Sequence, residues 1–160
     1  MNRQAESVLD CSRLSISDKV RPINWERAGI LYARIAVAAA FLSAVASRFG
    51  LWDGTLDLKH FVNFISYAGE VNSFLPRAVI PSVAVLATIC ETSLGILLIL
   101  GLWPRWISLG SAVLLAMFGT AMAISFGIKS PMDYSVFSAS GASLLLALDA
   151  FRRKRSHLVG

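Results

Sequence analysis

The sequence predicts an all-α fold: a bundle of four transmembrane helices with both termini cytoplasmic and a short amphipathic helix between the first and second spans. Three observations predict it. The 160-residue chain is 56% hydrophobic and 16% charged, with a mean hydropathy of +0.64, whereas soluble domains are roughly 45–50% apolar and about 25% charged. The apolar residues are gathered into runs of about 20, the length that crosses a hydrocarbon core of roughly 30 Å. The bases crowd the two ends of the chain and the Trp103–Trp106 turn, which is the charge pattern of a multi-pass topology.

The organisation follows from composition. Residues 1–27 form a polar N-terminal tail, 28–151 the membrane domain and 152–160 a basic C-terminal tail. The N-terminal tail carries Arg3, Glu6, Asp10, Arg13, Asp18, Lys19, Arg21, Glu26 and Arg27. It has no apolar core, so it does not read as a secretory signal. Trp25 stands where the chain enters the membrane, the place of an interfacial anchor.

The first span, 28–49, is rich in alanine and holds Arg34 and Arg48. Ala36, Ala40, Ala44 and Ser47 are small enough to let a neighbouring helix approach closely. Tyr32 and Trp52 suit the two interfaces. Residues 50–76 are mixed in composition, and Phe61, Phe64 and Ile65 recur at helical spacing over 59–67, the pattern of an amphipathic helix lying at the interface or capping the bundle. The second span, 79–102, admits Pro81 in its first turn, where the missing N–H is tolerated. The third, 106–127, carries Gly119, Ala123 and Gly127 every four residues, a helix-packing face. The fourth, 134–151, is rich in serine, whose hydroxyls can bond back to their own helix.

Loop charge orients the bundle. The N-terminal tail, the Trp103–Trp106 turn with Arg105, and the run Arg152-Arg153-Lys154-Arg155 are basic. On the other side Lys59 and Arg77 are diluted by Asp53, Asp57 and Glu70, and Lys129 stands beside Asp133. The excess of Lys and Arg marks the cytoplasmic side.

The net charge of +5 therefore reports topology. No basic helix with interleaved base-stacking aromatics is present, so nucleic acid is not an expected partner. His60 and His157 lie outside the spans, which excludes a transmembrane haem held by this chain alone. No cluster of His, Cys, Asp and Glu has metal-ligand spacing, so no metal is expected. Cys11 and Cys90 lie on different kinds of segment without a CxxC, which argues against a disulfide or redox pair. There is no phosphate-binding glycine motif. Serine is abundant, but no histidine stands ready to complete a hydrolytic triad.

Glu91 is the sharpest candidate for chemistry. At about 1.5 Å per residue it lies about 18 Å from the start of its span, near mid-membrane, where a carboxylate is costly without a partner. Arg34 lies about 9 Å inside the other end of the first span and is the expected counter-ion. The leading reading is an ion pair that fixes helix register. A neutral, hydrogen-bonded Glu91 and a proton-active or quinone-site Glu91 stand as alternatives. Arg48 reads as snorkelling to the headgroups, with partnership to Asp133 or Glu70 around an outward-facing pocket as its functional alternative. The segment 129–134 reads as a turn with Asp133 capping the fourth helix, and Asp133 and Tyr134 with Arg48 are the ligand-binding candidates. Asp149 pairs locally with Arg152 or Arg153.

These residues also carry a resemblance. A first helix bearing Arg34 and ending in Arg48, an amphipathic segment, a second helix with Glu91 followed by Gly95-Ile-Leu-Leu-Ile-Leu-Gly101, a Pro-Arg turn and two further spans resemble the DoxX family of small bacterial membrane proteins. The stretch from Gly127 to Ser140 is also typical of DoxX-like members, and the resemblance covers roughly 27–151. It implies a multi-pass protein of the bacterial inner membrane. Some relatives are subunits of a thiosulfate:quinone oxidoreductase or associate with redox-defence enzymes, and many have no assigned activity. The methylamine-utilisation branch often carries cysteines near its last spans. Their lack here argues against thiol–disulfide chemistry.

The expected function is accordingly an accessory membrane subunit of a redox system. If the chain is itself active, quinone-linked electron transfer is the expected class, with Glu91 as proton carrier and Arg34 or Arg48 orienting the ligand. The alternatives are a small-solute or proton pathway, and a structural scaffold that recruits a partner through its basic tails. The expected partners are the lipid bilayer and a redox-enzyme subunit, with homo-oligomerisation left open. No cofactor is certain from the sequence, and quinone is the one class it leaves open.

Overall fold

A computed structural model describes residues 24–54 and 56–159, with side chains described as far as Arg155. The tail expected over 1–27 therefore lies outside the described residues up to position 23, as does Cys11. Among the described residues the structure is helical, with no strand.

Among the described residues six helices follow in order: α1 (Trp25–Arg48), α2 (Leu58–Val71), α3 (Ile80–Leu100), α4 (Pro104–Phe126), α5 (Lys129–Asp133) and α6 (Val136–Val159), with single 3₁₀ turns at Leu51–Asp53 and Arg77–Val79. Local chemistry sets several of the boundaries. Asn24 caps α1, its Oδ1 accepting from the Arg27 N–H at 3.2 Å, and Asp57 caps α2 by accepting from the Lys59 N–H at 2.9 Å, each satisfying an otherwise orphaned donor of the first turn. Pro81 and Pro104 fall in the first turns of α3 and α4, where no intrahelical N–H bond is lost.

Three of these helices, Trp25–Arg48, Arg77–Leu100 (with its leading 3₁₀ turn) and Pro104–Phe126, are long and apolar enough to cross a membrane. α6 spans 24 residues, but Asp149, Arg152 and Arg153 charge its second half. It also runs on through the basic segment to Val159, so residues 152–155 extend the helix. The amphipathic element is longer than 59–67. Segment 129–133 is a short helix where a plain turn was expected, so Asp133 sits in that helix and does not cap α6.

The helices pack chiefly as two antiparallel pairs, α1 with α3 and α4 with α6. Along α1–α3, Ala38 and Leu98 are fully buried with Val37 and Phe41. Gly95 lets the backbones meet: a Cβ there would stand 2.9 Å from Leu42 Cγ. Along α4–α6 most of the buried residues are small, among them Ser108, Ser111, Ala112, Ser143 and Ala147 beside the larger Met122 and Leu146, and Ser140 Oγ donates across the seam to the Ala112 carbonyl at 2.8 Å. The expected glycine face of α4 is used only in part. Gly119 receives the Phe137 ring, which would lie 2.8 Å from an added Cβ, whereas Gly127 ends the helix with open space around it. The small stripe of α1 is also corrected. Ala36, Ala40, Ala44 and Ser47 are exposed from any helix seam; Ala38, on a different face, makes the close approach.

Candidate functional site

The site begins with where two helices place their long side chains. In an α-helix each Cα–Cβ bond tilts toward the N-terminus. Arg48 is the last residue of α1, so its side chain leans back along the helix toward the middle of the bundle. Glu91 lies half-way along the antiparallel α3 and leans toward the same level from the opposite direction.

They meet. Arg48 Nη2 donates to Glu91 Oε1 at 2.8 Å, and Nη1 stands 2.6 Å from Oε2. Nη1 also donates to Thr88 Oγ1 at 3.0 Å, and Thr88 Oγ1 in turn donates to the Ala84 carbonyl at 2.9 Å. Phe64 of α2 covers the guanidinium, its ring centroid 3.9 Å from Cζ, and Phe61 continues the aromatic contact from Phe64 to Phe49. Glu91 is 2% exposed. A buried charge of this kind persists because it is paired and hydrogen-bonded.

The expected pairing of Glu91 with Arg34 is therefore corrected to Arg48. The same tilt that brings Arg48 inward carries Arg34, in the first half of α1, toward the opposite end of the bundle. There its Nη1 would lie 2.9 Å from a Cβ at Gly101, beside the C-terminus of α3, and its Nε is buried without a hydrogen bond. Arg34 and Arg48 stand 14 residues apart on α1, about 21 Å at 1.5 Å per residue, so only one of them can reach Glu91, and side-chain direction favours Arg48. Asp133 and Glu70 are likewise not partners of Arg48. Asp133 forms an i, i+4 ion pair with Lys129 on the surface of α5. Asp149 accepts from Arg153 Nε at 2.8 Å, as a local pair, and Arg153 also reaches Glu26 at 3.6 Å.

The Arg48–Glu91 pair forms part of the wall of a cavity of about 510 Å³ in the half of the bundle away from the chain ends. Ala40, Ala44 and Ser47 line it from α1, and Ala84 and Ala87 from α3. The small residues of the first span thus make room for the cavity. Phe41, Phe64 and Phe118 supply aromatic wall, and Tyr67 and Tyr134 add phenol groups. Of the residues expected to bind ligand, Arg48 and Tyr134 are brought together here and Asp133 is not. Tyr67 also stacks on Phe126, with ring centroids 6.2 Å apart. Partial burial, with Tyr134 and Glu70 nearby, raises the Tyr67 phenol above its usual pKa, so it remains a proton donor at neutral pH. A volume of this size is typical of small-molecule sites, which combine apolar walls with a few convergent polar groups.

Among the described residues no three His, Cys, Asp or Glu side chains gather where they could hold a metal ion. Thr88 and Tyr67 are members of the site that sequence reading did not single out, and Phe64, read there only as part of an amphipathic face, is a third. Thr88 could have been found from its position three residues before Glu91, on the same helix face.

The DoxX family model matches residues 29–126. That stretch contains α1 to α4, the Arg48–Glu91 pair and most of the cavity wall, and it leaves out α5 and α6. No curated protein and no solved structure gives a match.

Proposed function

Because the chain belongs to the DoxX family and has several apolar helices long enough to cross a membrane, we propose that it is an accessory subunit of a redox system in the bacterial inner membrane, holding a quinone-type ring in its cavity. In this reading α6 is the fourth span and both termini are cytoplasmic. The basic residues Arg105, Arg152 and Arg155 then fall on the inner side and the cavity opens in the outer half.

One observation carries the proposal: a hydrogen-bonded Arg–Glu pair at the wall of an apolar, aromatic-lined cavity in a membrane domain. The residues fit such a ring. Phe41, Phe64 and Phe118 offer packing surface, and Glu91 Oε2 is a buried oxygen without a hydrogen bond. A bound quinone would supply electron and proton carriage. The chain's own part is to orient the ring through Arg48, to keep water from its apolar face, and to offer Glu91 Oε2 as the acceptor for a ring proton.

The alternative of a pathway through the bundle gains less support. Toward the cytoplasmic end, Ala38, Phe41 and Leu98 close the α1–α3 seam directly beyond the cavity. A scaffold role would leave the buried pair without a task beyond register.

Purification in mild detergent followed by mass spectrometry of lipids and co-purifying proteins tests the proposal. The expected result is a quinone and a redox-enzyme subunit with the native chain, and loss of the quinone in Arg48→Gln. A native chain that arrives with neither overturns it.

A further inference from the structure

The unmet bonding capacity in the cavity points to the chemistry of its ligand. Glu91 lines the cavity, and its Oε2 is buried and accepts no hydrogen bond. Its 2.6 Å contact with Arg48 Nη1 is an ion contact outside hydrogen-bond geometry, and Nη1 donates to Thr88. The neighbouring donors are committed elsewhere. Thr88 donates to the Ala84 carbonyl, Thr92 to the Thr88 carbonyl at 2.7 Å, and Asn72 Nδ2 to the Ala68 carbonyl at 2.9 Å. A buried carboxylate oxygen left without a hydrogen bond is costly even beside its counter-ion, so a ligand in the cavity gains most by donating one to it.

The guanidinium has five N–H groups and uses one each on Thr88 and Glu91. It can therefore also meet an acceptor. A hydroxyl satisfies both members of the pair, donating to Oε2 and accepting from Arg48. A carbonyl or ether satisfies Arg48 alone and leaves Oε2 orphaned. Arg48 and Glu91 neutralise each other, which favours an uncharged ligand. The wall residues Phe41, Phe64, Phe118, Tyr67 and Tyr134 favour an aromatic one.

We infer that the cavity selects a neutral aromatic ring bearing a free hydroxyl, a phenol or the hydroxylated form of a quinone-type ring, over the same ring with its oxygen methylated or present only as a carbonyl. This rests on the proposed ligand-binding role of the cavity and specifies which chemical form it prefers. A site built around a hydroxyl rejects the analogue lacking it, because its own buried polar group is then left unpaired.

The test is a binding series on the full-length protein in detergent by titration calorimetry, with 4-hexylphenol, its methyl ether and hexylbenzene as probes. The phenol is expected to bind roughly tenfold to a hundredfold more tightly than the other two. Glu91→Gln should abolish that preference, since the amide cannot offer an anionic acceptor while facing Arg48. Equal binding of the three probes, as apolar packing or a water on Oε2 would produce, overturns the inference. So does the absence of phenol binding. If Glu91→Gln does not fold, the series on the native protein decides alone. A phenol preference without a co-purifying quinone or partner removes the redox reading and keeps this one; a flat series with a co-purifying quinone does the reverse.

Discussion

The two helix pairs of the bundle solve the same packing problem in opposite ways. The α4–α6 seam is built mainly of small residues: Ser108, Ser111, Ala112, Ser143 and Ala147 are buried along it, and the serine hydroxyls of 111 and 143 bond back to their own helices at 2.9 Å. In lipid, where the hydrophobic effect between helices is absent, close approach of small residues is what association rests on. The α1–α3 seam is tight only toward one end, at Ala38, Gly95 and Leu98. Toward the other end it parts around a charged pair and a cavity. One pair distributes its stability over many small contacts, and the other concentrates it in a few residues that also face a ligand-sized space. Function is therefore expected to sit on the second and robustness on the first.

That contrast can be broken at the ion pair. Glu91→Ala leaves the Arg48 guanidinium buried without its counter-ion, and the expected loss is about 3–5 kcal/mol, read as the midpoint of denaturant unfolding in detergent. The pairing itself is sharpened with neutral isosteres. Glu91→Gln combined with Arg48→Gln should cost clearly less than the sum of the two singles. Glu91→Gln with Arg34→Gln should add to within about 0.5 kcal/mol. Additivity in the first combination would return the counter-ion to an open question.

The opposite seam is expected to respond to added volume. Gly119→Val pushes a side chain into the Phe137 ring and is predicted to cost about 1–3 kcal/mol while leaving the phenol preference of the cavity unchanged. The same unfolding assay and the same ligand series check both halves of that statement.

The smallest expected effect is at Ser140. Removing its bond to the Ala112 carbonyl in Ser140→Ala should cost about 0.6 kcal/mol, in line with other interhelical hydrogen bonds in membranes. A loss several times larger would mean that this seam, too, depends on a single contact.

Much of the fold was legible because its main determinants are one-dimensional. Apolar run length places α1, α3 and α4, Pro81 marks the start of α3, and the spacing of Phe61, Phe64 and Ile65 marks α2. Glu91 stood out for the same reason, as one acid in a long apolar run. The rest depends on direction and on space between elements. Choosing between Arg34 and Arg48 requires the tilt of side chains along two antiparallel helices. The stripe Ala40, Ala44 and Ser47 looks identical in sequence whether it receives a helix or borders a void, and only the placement of α2 against the Arg48 end of the bundle decides. Lys129–Asp133 is too short for periodicity to tell a helix from a turn.

The continuation of α6 beyond the bundle has a geometric consequence. Phe151 still packs edge-on against Trp106, at 5.8 Å, and the helix then runs to Val159, projecting about 12 Å farther at 1.5 Å per residue. Arg152, Arg153, Lys154 and Arg155 are consecutive, so at about 100° per residue they are spread around most of the helix circumference. The charge forms a collar, not a stripe. A partner groove would read one face of such a rod, but a plane of anionic headgroups meets positive charge whichever way the rod is turned. The basic end of this chain thus resists being pulled through a bilayer without choosing a rotational orientation in it.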